Sequence, residues 1–434
     1  MLASTVGICT CRSRPRARPA GGNPEASRRR GGRHALTGAC GQSAWSADAE
    51  RPPPYNHTVE SFDVLVAGAG PAGSATAIHL ARGGMRVLLA DRARFPRDKP
   101  CGGGVTGRAL KQAPCDITPV VERVVDTFEL RLHHRRSFRR TSPEPLILMT
   151  QRRRLDAFLA EQAAALGVDF RDGARVDELE IRPDGITATV GGEPVTARVL
   201  VGADGANGVV ARTAGLGEGI VRGVALEGNV PWELLDRYRY QSTAVVELGA
   251  PAGGYGWLFP KGDHANLGVG GWASEGPALR GHLARLARAH GVDPDALGEV
   301  RGHRLPMRKV GATTPVQDNV LLVGDAAGLV DPLSGDGMYE AFTSARLAAE
   351  AILAAEHARY PAALAQALDH HAGASWAAKH ALDRHPAVCF WAARSPGVFG
   401  VVAGLLRGDV RHPNEARGLA RPPLRLLARV ARRA

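Results

Sequence analysis

The stretch FDVLVAGAGPAGSATAIHLARGGMRVLLAD, residues 62–91, decides the architecture. Residues 62–67 form a short apolar run of strand length, and Gly68-Ala-Gly-Pro-Ala-Gly73 follows at once. Residues 74–82 have helical spacing, with Ala77, Ile78, Leu80 and Ala81 offered for packing. After Gly83-Gly84, residues 86–90 make a second strand that ends in Asp91. Strand, glycine turn, helix, strand and acid, in that order, is the setting in which a GxGxxG pattern predicts a dinucleotide site. Gly68 permits the tight turn, Gly70 lets backbone approach a pyrophosphate, and Gly73 lets helix and strand pack closely. Pro71 and Ala72 complete the cofactor-binding turn, and the N-terminus of the helix faces the phosphates. Asp91, with Arg92 beside it, is placed to accept a ribose hydroxyl.

Two later segments choose between NAD and FAD. Residues 320–323 are another apolar strand, followed by Gly324-Asp325-Ala-Ala-Gly328, then DPLSGDG (331–337) and a helical pattern from 338 to about 355. Asp325, on a strand-to-helix turn, can bind a ribitol hydroxyl, and the helix start after Gly335 and Gly337 offers N–H groups to a carbonyl or anion. An NAD dehydrogenase has no need of this second site. Between the two lies LVGADGANGVVAR (200–212), which contains Asp204.

These three segments together resemble the flavoprotein hydroxylase-fold superfamily, in which they enclose one FAD. Arg152, in QRRRLDAFLAEQAAALGV (151–168), fits that superfamily's flavin-contacting arginine, with Arg153 and Arg154 as competing registers. The resemblance implies an α/β fold with a discontinuous Rossmann-type FAD-binding domain over 59–116, 148–218 and 312–350. Segments 117–147 and 219–311 are expected to insert a largely antiparallel substrate domain over the flavin. Residues 351–434 are expected to form a C-terminal helical region with a basic tail, and 1–58 a disordered basic leader.

Two more stretches narrow the chemistry. FPRDKPCGGGV (95–105) follows Asp91, and GYGWLFPK (254–261) continues to NLGVG (266–270). Their joint presence resembles the geranylgeranyl reductase family, which reduces carbon–carbon double bonds of polyprenyl chains. Pro100, Cys101, Gly102 and Gly103 match one family segment; Tyr255, Trp257, Phe259 and Pro260 match the other. The resemblance spans roughly residues 62–350. It implies a hydride from reduced flavin to one alkene carbon and a proton to the other, with NAD(P)H or a protein as electron donor. Tyr255, Cys101 and Trp257 are the catalytic candidates, Gly102, Gly103 and Phe259 the substrate contacts, and no metal is expected. The residues alone allow a plainer reading: three aromatics alternating on one strand face also make a core stripe, and a buried cysteine is commonly inert. His79, His133, His134, His264 and His303 read as ordinary helix, loop or surface histidines. Gly215–Gly219 and Gly268–Gly271 read as turns because no helix and acid follow them.

The charge has a location. The net charge is +12; residues 1–58 carry nine Arg against three acids, and 407–434 eight Arg against two. The body between is formally neutral, unlike a nucleic-acid-binding domain crossed by a basic stripe. The six cysteines show no CxxC or Cys/His metal spacing, which favours free thiols in a reducing cytosol. The leader is Arg- and Ser-containing and acid-poor, as organelle transit peptides are, or else an extension without structural role upstream of a start near Val59. No apolar run reaches the roughly 18 residues of a spanning helix. The tail, however, places Leu424, Leu427 and Ala431 on one helical face and Arg425, Arg429 and Arg432 on another, a pattern suited to an anionic lipid surface. The expected partners are therefore a polyprenyl-bearing lipid, quinone or pigment and a membrane surface, in a cytoplasmic or peripheral-membrane setting. The rival readings are an aromatic monooxygenase, a flavin-dependent halogenase, and a membrane adaptor that keeps an FAD scaffold without catalysis.

Overall fold

The computed structural model describes residues 59–217, 219–311 and 315–410. The basic leader and the Leu424–Arg432 amphipathic pattern lie outside the described residues. Strand β1 (Glu60–Ala67) is central to a parallel sheet, with β2 (Val87–Asp91) on one side and the strand Glu193–Gly202 on the other. Asp169–Asp172 and Val320–Leu322 extend it in parallel outward from these two. Helix α1 (Pro71–Arg82) makes the crossover between β1 and β2, as the strand–turn–helix–strand reading requires.

Burial on both faces explains why β1 is a continuous apolar run rather than an alternating one. Val64 and Val66 face α1 and the helix Met338–Leu353, meeting Ile78, Leu80, Leu347 and Ile352. Leu65 and Ala67 face the opposite way and, with Phe62, pack with Ile186, Val190 and Val195 around the hairpin Val176–Arg182/Gly185–Val190. Each fully buried Leu or Ile of this kind contributes about 1.5–3 kcal/mol.

A second sheet of seven strands runs in the order Gly298–Met307, Val221–Pro231, His264–Trp272, Tyr255–Pro260, Thr243–Leu248, Thr127–Leu132 and Arg136–Thr141. It is antiparallel except between Thr243–Leu248 and Thr127–Leu132, which run parallel. One face packs on the helix Leu279–Ala289 through Leu279, Leu283 and Leu286. The other turns toward the C-terminal helices Tyr360–Arg384, Pro386–Ala393 and Pro396–Arg407, where Phe259 joins Phe399 and Leu406, and Tyr255 joins Leu382 and Phe390. Gly268–Gly271 lies inside the strand His264–Trp272 and is not the turn the sequence suggested.

Candidate active site

The glycine turn after β1 is shaped by contacts that leave no room for side chains. Gly68 has a φ of +106°, and a Cβ there would strike the carbonyl of Ala203. A Cβ on Gly73 would strike the carbonyl of Gly68. Gly70 differs: the position of its absent Cβ lies 3.6 and 3.7 Å from Nη2 of Arg97 and Arg152. No side chain caps α1, so its first-turn N–H groups are directed at the same place as these guanidiniums.

One carboxylate holds both arginines. Arg152 donates from Nε and Nη2 to Asp156 at 2.6 and 2.7 Å, and Arg97 Nη1 lies 2.7 Å from Asp156 Oδ2. Arg152 and Asp156 are buried, whereas Arg153 and Arg154 are exposed. Burial opposes the charge on Arg152, yet Asp156 outweighs it and holds the guanidinium proton more tightly than usual. Arg97 Nη2 also lies 3.7 Å from Asp91 Oδ2, so the two guanidiniums beside Gly70 are held by two carboxylates, Asp156 and Asp91.

Asp91 sits under the same turn, accepting the N–H of Ala69 through Oδ2 and that of Ala93 through Oδ1, both at 2.9 Å. Arg92 is exposed next to it. Asp204 spends Oδ2 on the N–H groups of Val209 and Val210, at 2.6 and 3.0 Å, so backbone rather than carboxylate meets Gly68. Burial raises the Asp204 pKa against the pull of those N–H groups and of Arg92.

The late motif closes on α1: a Cβ on Gly324 would lie 2.8 Å from that of Ala72. Asp325 faces Lys99 Nζ at 3.0 Å and His303 Nε2 at 3.7 Å. Burial alone would raise its pKa, but Lys99 and His303 hold it well below the carboxylate range. Gly335 has a φ of +66°, and the Cβ position of Gly337 is 3.3 Å from Asp325 Oδ1. His303, read from sequence as an ordinary histidine, therefore belongs to the site.

The loop through Cys101 lies across the seven-stranded sheet. Asp98 pairs with Arg301 at 2.7 Å, Lys99 with Asp325, and the Cys101 N–H donates to Glu227 Oε1 at 2.7 Å. The Gly103 N–H donates to Cys101 Sγ at 3.3 Å. A Cβ on Gly102 would lie 2.9 Å from the Phe259 ring, and one on Gly103, whose φ is +75°, would displace Lys261 Nζ. Lys261 is buried and donates to the carbonyls of Gly102 and Thr150 at 2.5 and 2.8 Å. Desolvation lowers its pKa, countered by Cys101 and Glu227.

Beneath this loop the register explains the glycine alternation. Tyr255, Trp257 and Phe259 lie opposite Gly270, Gly268 and Asn266, so all six occupy one face. The Trp257 indole fills the space that a side chain at Gly268 would take, and its Nε1 donates to Asn266 Oδ1 at 2.8 Å. Ring centroids are 6.0 Å apart for Tyr255–Trp257 and 6.3 Å for Trp257–Phe259. The Tyr255 hydroxyl donates to the Ser334 carbonyl, joining this strand to the late motif. Burial first, then Asp336 and Asp331, push the Tyr255 pKa well above its ordinary value.

Asp331, Glu340 and His371 also approach one another, with ligand atoms within 4.8 Å. Arg108 lies among them, bonding to His371 and reaching Glu340 at 3.7 Å, so a guanidinium occupies the place a cation would need. Sequence reasoning missed Arg97, Lys99, Asp156, Glu227 and Lys261. One signal was available: the chain has only five lysines, and two of them are here.

A profile of the FAD binding domain matches residues 61–378. Menaquinone reductase of Mycolicibacterium smegmatis is 32% identical over 71% of this chain and 80% of its own length. Geranylgeranyl diphosphate reductase of Rhodobacter capsulatus is 30% identical over 68% of this chain and 75% of its own. The chain belongs to the geranylgeranyl reductase family of FAD-dependent oxidoreductases. In fold, this family member matches a geranylgeranyl bacteriochlorophyll reductase-like protein from Thermoplasma acidophilum with a TM-score of 0.68, over 86% of this chain and 96% of that one at 23% identity. FAD suits the residues present: the side-chain-free cradle at Gly68, Gly70 and Gly73, the unspent N–H groups of α1 and the two guanidiniums all meet an anion's needs.

Proposed function

We propose that this flavoenzyme reduces carbon–carbon double bonds of a polyprenyl chain carried on a lipid, quinone or pigment, with NAD(P)H or a protein as electron donor. The observation that carries this reading is the meeting of the two diagnostic segments at Gly102, which lies on Phe259 beneath the Cys101 loop. The names of the relatives, reductases of geranylgeranyl and menaquinone compounds, point the same way.

On this reading Gly68, Gly70, Pro71, Ala72 and Gly73 receive the pyrophosphate, with Arg97 and Arg152 as its counter-charges. Asp91 and Arg92 serve the adenosine end, and Asp204, Asp325, Gly324, Gly335 and Gly337 the flavin end. Bound and reduced, the cofactor supplies the hydride that an unpolarised alkene needs. The protein's part is orientation and proton supply. Trp257 and Phe259 give the apolar wall against which a prenyl chain lies, and the loop at Cys101, Gly102 and Gly103 closes over it. The seven-stranded sheet with its covering loop is thus the substrate part, and the parallel sheet the nucleotide part.

A bilayer is the fitting source of such a substrate. Among the described residues no single helix is long and apolar enough to cross a membrane, but Pro386–Ala393 and Pro396–Arg407 pass that test together, with a 92° bend. Val388, Trp391 and Val402 are exposed there, and Arg136 and Arg394 flank the Trp391 ring. Apolar side chains ringed by arginine suit an anionic interface. Sedimentation with phosphatidylglycerol vesicles tests attachment, and a Trp391→Asp variant that sediments like wild type removes this surface from it.

Photoreduced enzyme mixed anaerobically with a geranylgeranyl substrate should reoxidise without oxygen, the product gaining two hydrogens per bond reduced. Strict dependence on oxygen would instead establish the monooxygenase or halogenase reading, and no oxidation by any partner the adaptor.

A further inference from the structure

The reaction just proposed needs an acid, and the strongest sequence candidate is poorly suited to the task. The Tyr255 proton is committed to the Ser334 carbonyl, and its phenolate would form beside Asp331 and Asp336. Lys261 is held by two carbonyls, and the Cys101 sulfur accepts an N–H. One carboxyl on the aromatic face of the sheet is not accounted for by these roles. Glu227 pairs in register with Gly268, which pairs with Trp257, so the three form one row across three strands with no side chain between Glu227 and the indole. Its Oε1 accepts the Cys101 N–H at 2.7 Å, which places the carboxyl under the loop that covers this face.

We propose that Glu227 is the proton-holding acid of this site and delivers its proton to the alkene carbon that does not receive hydride. This rests on the reductase reading. The proton leaves a Glu227 carboxyl oxygen, one new C–H bond forms with it, and the alkene π bond breaks. The electron pair enters with the hydride of the reduced flavin, which is the species oxidised. The carboxylate left behind faces Lys261 just past the aromatic strand, the Cys101 N–H and Asp98 from the loop and Asn266 from the glycine strand, with Arg301 its register partner on the other neighbouring strand. Desolvation is the largest of these influences and raises the Glu227 pKa, against Cys101, Lys261 and Asn266 and with Asp98. Burial in such a setting shifts this carboxyl toward its protonated form, the form an acid catalyst needs.

Glu227→Gln separates the two roles this residue could have. The Gln carbonyl still accepts the Cys101 N–H and keeps the loop in place, but no ionisable proton remains. Anaerobic single-turnover reoxidation by a geranylgeranyl substrate should slow about a hundredfold in the variant. The wild-type rate should fall as pH rises through the elevated Glu227 pKa, and the variant should lose that fall. Independently of turnover, infrared difference spectra of oxidised wild type minus Glu227→Gln, without substrate, should show one protonated carboxyl at pH values above the ordinary Glu pKa of about 4.3. A variant with wild-type rate and pH profile, or a spectrum without that carboxyl, overturns the assignment. Wild-type enzyme that the prenyl substrate fails to reoxidise overturns the reductase reading and the donor role with it, whereas wild-type turnover beside an unimpaired variant overturns the donor role alone.

Discussion

Lys261 Nζ stands 2.5 Å from the carbonyl oxygen of Gly102 and 2.8 Å from that of Thr150. The residue just after the aromatic strand therefore fixes the loop lying on that strand, so the two segments that carry the family likeness act as one structural unit. Lys261→Met removes both bonds and leaves the buried Thr150 carbonyl and the half-buried Gly102 carbonyl without this donor. Each such loss costs about 1–3 kcal/mol, so urea unfolding should show the variant roughly 2–4 kcal/mol less stable. Flavin content after purification should stay near wild type, because the lysine contacts no part of the glycine turn. Loss of flavin in equal measure would place Lys261 in cofactor retention instead.

Asp156 is the anchor of the phosphate end. Asp156→Asn leaves buried Arg152 with a neutral partner and Arg97 with only the longer 3.7 Å pairing to Asp91. Breaking a buried pair by removing one partner costs about 3–5 kcal/mol. The arginines also lose their orientation toward Gly70, and FAD binding to apoprotein, followed by quenching of flavin fluorescence, should weaken by at least about tenfold, the equivalent of ~1.4 kcal/mol. An unchanged affinity would detach this triad from the pyrophosphate.

Gly268 makes room for Trp257. Gly268→Val puts a branched side chain where the indole lies, in a row that also holds Glu227. The strand itself tolerates valine well, so folding and flavin binding should persist. The expected loss is in reoxidation of the reduced enzyme by prenyl substrate, with direct reoxidation by oxygen retained. Loss of both together would mean that the sheet, rather than the substrate wall, has been disturbed.

These cases also show what one chain of letters can convey. The turn at Gly68–Gly73 was legible because its chemistry is local: strand, glycines, helix and acid lie within one crossover. The alternation of Tyr255, Trp257 and Phe259 was equally local. The glycine strand opposite them was misread as a turn because Gly268 and Gly270 carry no strand propensity of their own; the facing aromatics require them. Arg152 could not be told from Arg153 and Arg154 until burial separated them. Lys99 with Asp325 and Cys101 with Glu227 lie 226 and 126 residues apart, and His303 joins the first pair only through sheet register. No periodicity encodes such pairings, which exist only once the two sheets are assembled.

Lys379 offers a test of the packing that holds the C-terminal helices on the sheet. It is buried, donates to the Gly253 carbonyl and lies 4.5 Å over the Trp272 ring. Burial pushes its pKa down to about 8, against Asp383 and Asp331. The unfolded chain keeps that proton up to about 10.4, so between those values the unfolded state binds more protons than the folded one. Stability then rises with pH across the window, by roughly 3 kcal/mol if the whole shift is expressed. Lys379→Met lacks this contribution. The difference in unfolding free energy between wild type and variant should therefore move in favour of wild type from pH 8 to about 10.5, read by urea titration at each pH. Parallel curves for the two proteins would mean that Lys379 stays charged in the folded state, with its ammonium solvated rather than enclosed between Gly253 and Trp272.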